Sequence, residues 1–337
     1  MIGVVSDPIF MRHDTGGFHP EDPQRVHYIH TLFAGADPDI LKIESAQAGI
    51  EDVALNHDRD YIDEIYRTCC SKDSTYLDSD TVCSEDSYDV SLLAAGSLIK
   101  LTRMTLNSEI NYGFASLRPP GHHATHGRAM GFCIFNNIAI AARKARALSK
   151  KKKVLIVDFD VHHGNGTQDS FYEEEDVLYF SSHQYPFYPG TGSVSERGMH
   201  NGEGVTVNCP MSAGKTDGNY MTVYKYILTP IIQAYKPGII LVSAGFDAHA
   251  MDPIASMRLS SECFGALALM IKEAADKVGA PVIYSLEGGY NLNALRDSVS
   301  QVIQVMKGVS VPKIEPVSSP ELDKLVKEHS RLWPQVG

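Results

Sequence analysis

The 337-residue chain has no apolar run approaching the ~20 residues needed to cross a bilayer, which excludes a membrane-spanning helix. Its first residues, MIGVVSDP, lack the basic segment and the long apolar stretch of a secretory leader. The cytoplasm is therefore the expected compartment. The six cysteines include no C-x-x-C pair, so neither a zinc ribbon nor a thioredoxin-type motif is expected. Cys133 and Cys263 lie in apolar stretches and read as core residues. Cys69 and Cys70 are adjacent, and reduced thiols fit a cytoplasmic protein. Positive charge is scarce: 30 Lys and Arg stand against 41 Asp and Glu, a net charge of −11. That balance argues against general nucleic-acid binding, which needs basic patches. It favours cationic substrates or partners only weakly, since solubility alone accounts for an acidic surface. The one basic run, Lys150–Lys153, falls between a helix pattern and a strand and reads as a solvated turn. Neither nucleic acid nor membrane is an expected partner.

What is present is an alternation of strands and helices with no linker-like break before about residue 310. Strands are expected over Met1–Val5, Val154–Phe159, Val177–Ser181, Ile239–Ala244 and Val282–Leu286. Helices are expected over Ser87–Met104, Asn136–Ala147, Asn219–Ala234, Ser261–Val278 and Leu292–Met306, with a helix start in Gly166–Tyr172. This spacing predicts an α/β fold, a mostly parallel sheet with helices on both faces. Residues 184–217, rich in Gly, Pro, Ser and Tyr, break the rhythm and read as a long ordered loop that lines something. The chain divides into one body, residues 1–309, and a tail, 310–337. A short helix over Glu321–Leu332 packs on the body or on a neighbouring subunit, which leaves a homo-oligomer open.

Three apolar runs stop at polar residues: Val154–His162 (VLIVDFDVH), Ile239–Asp247 (IILVSAGFD) and Pro281–Tyr290 (PVIYSLEGGY). A fourth, Phe114–His123 (FASLRPPGHH), ends in a histidine pair. Buried parallel strands read as near-continuous apolar runs, and ligands bind beyond their carboxyl ends. Asp160 and His162 are two apart on a strand end, so their side chains point the same way. With Asp247 they make a three-ligand set with room for water, as a catalytic zinc site requires. Taken singly, an Asp after a strand is more often a helix cap and a His a satisfied polar residue. The joint pattern favours the metal. A two-manganese site is disfavoured because Gly164 stands where a bridging carboxylate would be needed, and Asp247-Ala248-His249 lacks the second. Zinc fits best, with iron(II) the alternative.

His122 and His123 supply a general base and an electrostatic or acid partner. Asp158 and Asn165 are their candidate orienters. A carboxylate raises imidazole basicity whereas an amide orients without charge, so the two histidines should differ in proton affinity. Tyr290, after Glu287-Gly288-Gly289, is a candidate oxyanion donor. Phe132 and Tyr188 are candidate walls of a narrow apolar channel.

These residues lie in RPPGHHA (118–124), GFCIFNN (131–137), VDFDVHHGNGTQ (157–168), YPGTG (188–192), SAGFDAH (243–249) and LEGGYN (286–291), with TGGFHPEDPQR (15–25) upstream. Together they resemble the histone deacetylase family, which includes the acetylpolyamine amidohydrolases. The resemblance runs from near residue 10 to about 308. It implies an arginase-like α/β fold and zinc-dependent hydrolysis of an acyl amide. Asp160, His162 and Asp247 match the zinc ligands. His122 and His123 match the catalytic pair, with Asp158 and Asn165 as partners, and Tyr290 the carbonyl-polarising tyrosine. Gly131, Phe132 and Tyr188 match the substrate channel, with Tyr188 in place of the more usual Phe, and Asp80 in LDSDT (77–81) resembles the rim aspartate. Asp158, Asp160, His162, Ser181 and Ser182 match an inner potassium site built largely from main-chain oxygens. The resemblance implies that His123 takes a proton from water and later gives it to the leaving amine. Ile254, after Asp252-Pro253, takes the place where polyamine specialists often carry an acidic gatekeeper. That favours acyl-lysine of proteins or peptides, with acetylpolyamine or another small acyl amide as the alternative. A non-catalytic zinc-binding module and an arginase-like ureohydrolase are the rival readings.

Overall fold

The computed structural model describes residues 1–70, 74–149 and 153–337. Lys150–Lys152 of the basic run lie outside the described residues. The strands are β1 (Ile2–Val5), β2 (Ile40–Lys42), β3 (Thr75–Tyr76), β4 (Val82–Cys83), β5 (Tyr112–Ala115), β6 (Val154–Asp158), β7 (Val177–Gln184), β8 (Thr206–Met211), β9 (Ile239–Ala244) and β10 (Val282–Leu286). Eight of them form one sheet in the order β2-β1-β5-β10-β9-β6-β7-β8. Every pairing in it is parallel. β3 and β4 form a separate antiparallel pair.

The central strands β6, β9 and β10 are buried at every residue. Successive side chains point to opposite faces, so both faces of the sheet must be covered. Ile239, Ile240, Leu241 and Val242 are all at 0% exposure, and each contributes on the order of 2 kcal/mol by leaving water. The covering helices carry their own start and stop signals. Ser260 accepts the Cys263 N–H and opens Ser261–Val278, which closes at Gly279 with φ 69°. Asn291 caps Leu292–Met306, and Asn136 caps Asn137–Leu148, each through its side-chain oxygen. These helices match the expected ones closely.

Two expectations need correction. The helix expected over Asn219–Ala234 is three pieces: Asp217–Val223, a π turn at Tyr224–Leu228, and Thr229–Tyr235. Pro230 has no N–H to give, so the regular ladder cannot run through it. The segment 184–217 is not all loop, because it contains β8. Pro210 disguised it, and a proline is tolerated there because β8 is an edge strand. The tail covers that edge. Its helix, Pro320–His329, buries Leu322 and Leu325 in the main core. His329 Nε2 donates to the Asn208 carbonyl at 2.9 Å, and Trp333 Nε1 to the Gly204 carbonyl at 2.9 Å.

The topology decides where chemistry can occur. β5, β10, β9 and β6 are consecutive in the sheet. The four runs that end in polar residues therefore open side by side at one edge.

Candidate active site

The floor of the site is made by strand ends that hold one another. Past β6, the Asp160 N–H donates to Asp158 Oδ1 at 3.1 Å and the His162 N–H to Asp160 Oδ1 at 2.9 Å. From the neighbouring strand end, Asp247 Oδ1 accepts the Val161 N–H at 2.8 Å. Asp160 Oδ2 accepts the Gly288 N–H, beyond β10, at 2.8 Å. His162 Nδ1 then lies 3.0 Å from Asp160 Oδ1 and 3.1 Å from Asp247 Oδ2. The three ligand atoms are all within 4.8 Å of one another, and all three residues are buried. A Cβ at Gly288 would overlap both carboxylates, and one at Gly245 would overlap Asp160, so these glycines leave the cradle open.

Two anionic oxygens and one imidazole nitrogen converging in a dry space need a cation between them. The pull is visible in His162: burial opposes its protonation, yet Asp160 and Asp247 raise its pKa to about 10. The same donors suit a divalent ion, and hard oxygens with one imidazole fit zinc or iron(II).

The histidine pair sits against this floor. His122 Nδ1 donates to Asp158 Oδ2 at 3.1 Å, and its Nε2 is 3.9 Å from Asp160 Oδ2. Burial opposes its charge, but Asp160 and Asp158 outweigh burial and hold its pKa at about 10. Asp158 Oδ2 also accepts the Tyr179 hydroxyl at 3.0 Å. His123 differs. Its Nδ1 is 2.8 Å from Asn165 Oδ1, an oxygen that only accepts, so Nδ1 carries the proton and Nε2 is left with its lone pair. Burial and the neighbouring His122 and His162 push its pKa well below the ordinary value. Adjacent residues thus hold opposite protonation states, as their different partners predict.

Above the floor is a cavity of about 260 Å³. His123, His162 and Tyr290 line its depth, and Gly131, Phe132, Phe187, Tyr188, Ile254 and Asp80 line its sides and rim. Phe132 meets the Tyr290 ring edge-on at 5.8 Å, and Tyr188 meets His123 edge-on at 5.1 Å. Gly131 and Phe132 both have positive φ, 56° and 69°. At Gly131 a Cβ would overlap the His123 ring, so glycine is required for that close approach. Phe132 holds its left-handed turn through an N–H bond to Thr81 Oγ1 at 3.1 Å. Burial raises the Tyr290 hydroxyl pKa well above 10, with Asp247 adding to it, so it stays a donor. Asp80 is tied in by its carbonyl, which accepts from His19 Nε2 at 3.0 Å.

A model of the histone deacetylase domain matches residues 19–306. The chain belongs to the histone deacetylase family. It is 39% identical over 309 residues to "Histone deacetylase 10, chloroplastic" of Oryza sativa subsp. japonica, covering 86% of this chain and 70% of that protein. It is 41% identical over 274 residues to "Histone deacetylase 14, chloroplastic" of Arabidopsis thaliana, covering 77% of this chain and 64% of that one. The chain thus spans about two thirds of the length of these curated relatives. The crystal structure of the HDA15 HD domain matches with a TM-score of 0.93 and 35% identity, over 99% of this chain and 97% of that chain. The fold is therefore the arginase-like α/β fold of histone deacetylases, and the domain is that of a hydrolase, a deacetylase.

Within this deacetylase domain the site residues singled out in the sequence fall together. Ser181 stands opposite Asp158 in the β6–β7 register, with Ser182 next to it. Their hydroxyls meet His183 Nδ1 at 2.8 Å and the Tyr224 hydroxyl at 3.2 Å. Four kinds of support were missed. Phe187, in the long segment after β7, stacks on the His162 ring at 5.2 Å and 17°. Glu287, inside a quoted motif but given no role, accepts the Gly121 N–H at 2.7 Å and the Ser243 hydroxyl at 3.0 Å. Asp252 lies behind Ile254 and Tyr290. A buried ionic belt lies under the floor. Arg118 grips Glu21 with Nε at 2.6 Å and Nη2 at 2.7 Å, and Arg25 Nη1 reaches Glu21 Oε1 at 2.9 Å. Burial would raise the Glu21 pKa, but the two guanidiniums bring it down to about 2. No local signal marked the belt: a charged residue is rarely fully buried unless paired, and the partners of Glu21 are supplied by the fold.

Proposed function

We propose that the protein is a zinc-dependent amidohydrolase that removes acetyl or other acyl groups from amines, with acyl-lysine of proteins or peptides as its substrate. The observation that carries this reading is the convergence of Asp160 Oδ1, Asp247 Oδ2 and His162 Nδ1 below a narrow aromatic cavity. Asp160, His162 and Asp247 would hold the ion, which when bound supplies Lewis acidity toward a carbonyl oxygen and acidifies water. The rest is done by the chain. His123 Nε2 takes a proton from the attacking water, because Asn165 keeps the other ring proton on Nδ1. His122, held by Asp158, stays charged and supplies electrostatic stabilisation. Tyr290 donates its hydroxyl proton in a hydrogen bond to the developing oxyanion. His123 then passes the proton from Nε2 to the leaving amine, and acid and free amine depart. Phe132, Phe187 and Tyr188 enclose the acyl-bearing arm and exclude water, while Asp80 stands at the rim to hold the substrate backbone. Ile254 keeps that wall apolar, which suits an uncharged lysine stem better than a polycation.

The resemblance also calls for a potassium ion on main-chain oxygens of Asp158, Asp160, His162, Ser181 and Ser182, a reading supported by the side-by-side ends of β6 and β7. Residues 1–309 are taken as the one deacetylase domain and 310–337 as its docked tail, with the family match ending at 306 in support. Six free cysteines support the cytoplasm, and no helix among the described residues is long and apolar enough to cross a membrane.

The test is amine release by zinc-loaded protein from an acetyl-lysine peptide and from acetylated putrescine and spermidine, side by side. Peptide preference supports the reading. Polyamine preference would replace acyl-lysine with a small-amine substrate. No turnover of any acyl amine would sink the enzymatic reading.

A further inference from the structure

We propose that Asp252 is a positioning residue for amide cleavage: its carboxylate ties the turn bearing Tyr290 to the wall residue Ile254, and so sets where the Tyr290 hydroxyl sits. The inference rests on the reading of Tyr290 as oxyanion donor. Asp252 is 8% exposed, a buried acid to which the reaction above gives no proton. Its Oδ2 accepts the Tyr290 N–H at 2.8 Å, and its Oδ1 accepts the Ile254 N–H at 3.0 Å. Its own N–H donates to the His249 carbonyl at 2.9 Å, which anchors it to the segment just past Asp247. One residue therefore links three parts of the site: its carboxylate joins the channel wall to the hydroxyl donor, and its backbone N–H joins both to the metal-ligand loop.

Tyr290 needs such a tie. It follows Gly288 and Gly289, which have no side chains to pack, and Gly289 sits at φ 114°. The turn is held instead from its backbone. Arg25 Nε fixes the Gly289 carbonyl at 2.7 Å, and Asp252 fixes the next N–H. Gly288 is held on both sides, its N–H by Asp160 and its carbonyl by the Phe246 N–H, but the Tyr290 N–H itself is held by Asp252. Losing that anchor lets the tyrosine ring shift, and a misplacement of about 1 Å can cost on the order of a hundredfold in rate. The group must also be a carboxylate. Both oxygens accept from N–H donors, whereas the amide of Asn would turn an NH₂ toward one of them.

The experiment is a double-mutant cycle of Asp252→Asn and Tyr290→Phe on the zinc-loaded full chain, read as kcat and KM on an acetyl-lysine peptide. Zinc per chain and Tm are measured on each variant. Asp252→Asn is expected to lower kcat between about tenfold and a hundredfold, with KM within about threefold of wild type and zinc content unchanged. In the Tyr290→Phe background it should add little, within about threefold, because its effect passes through the hydroxyl already removed. Wild-type kcat in Asp252→Asn, or losses that multiply in the double variant, would overturn the proposal. Full activity in Tyr290→Phe alone would instead sink the functional reading, a separate result. If Asp252→Asn does not fold, Asp252→Glu keeps both acceptors one methylene out of place. Lowered kcat at unchanged zinc content supports positioning there, and unchanged kcat overturns it.

Discussion

The floor and the walls of the cavity are built on different principles. On the floor, Asp160, His162 and Asp247 hang from adjacent strand ends, and each carboxylate takes a backbone N–H from the loops beside it. Their relative positions are set by sheet register, which cannot drift without moving the whole core. The walls come from loops. Phe187 and Tyr188 belong to a segment folded back through Glu196, whose carboxylate accepts the Gly192 N–H at 3.0 Å and the Ser193 N–H at 3.0 Å. Phe132 rests on a left-handed turn held by one threonine. A register-built floor should respond to substitution in an all-or-none way, and a loop-built wall by degrees.

The largest effect is expected on the floor itself. Asp160→Asn removes a charge from the three-atom convergence and leaves an amide that is a poor ligand. Metal content should fall toward zero, and amide turnover should drop on the order of a thousandfold or more. Metal analysis with activity on the same preparation checks both. Retention of metal and rate together would show that Asp160 is not a ligand.

Under the floor the ionic belt should matter nearly as much, but to folding. Glu21→Ala would leave Arg118 and Arg25 buried and without their carboxylate, at a cost of about 3–5 kcal/mol. Urea unfolding should show it as a lower midpoint with little change in slope. A loss under 1 kcal/mol would mean that water or backbone carbonyls serve the guanidiniums as well as Glu21 does.

The floor was legible in the sequence and its foundation was not, for a physical reason. Apolar runs buried on both faces announce β6, β9 and β10, and D-x-H spacing on a strand end puts two ligands on one side. The helices Ser261–Val278 and Leu292–Met306 were readable to the residue because a cap and an apolar face coincide at their ends. The belt joins partners far apart in the chain: Glu21 and Arg118 are separated by 97 residues. Nothing local marks either as buried. Phe187 and Asp252 belong to the same class, since their roles come from what the loops bring beside them. β8 and the π turn were hidden by Pro210 and Pro230, residues that oppose regular structure and are tolerated here by an edge position and a widened turn.

Tyr290 lies between floor and wall. It hangs from β10 as the ligands hang from their strands, yet its ring reaches up among the wall aromatics. Tyr290→Phe keeps the ring and its packing and removes only the hydroxyl. A hundredfold to thousandfold drop in kcat is expected, about what removal of one oxyanion donor costs, with KM little changed. A rise in KM at constant kcat would place the hydroxyl in ground-state binding and move Tyr290 to the side of the walls.

The smallest effect tests the walls. Phe187 stacks on the imidazole of His162, so it touches the floor while belonging to the loop. Phe187→Ala removes one apolar face from the cavity, and with it about 1–2 kcal/mol of contact to any acyl arm. KM for an acetyl-lysine peptide should rise about tenfold while kcat changes by less, because His123 is oriented by Asn165, and His162 is anchored through its backbone N–H to Asp160, not by the loop. The widened channel should also narrow the gap in kcat/KM between acetyl and longer acyl substrates, which a series of acyl-lysine peptides of increasing chain length would reveal. If Phe187→Ala instead empties the metal site, stacking on His162 is part of what holds the ligand in place. The line between floor and wall would then run through Phe187 rather than beneath it.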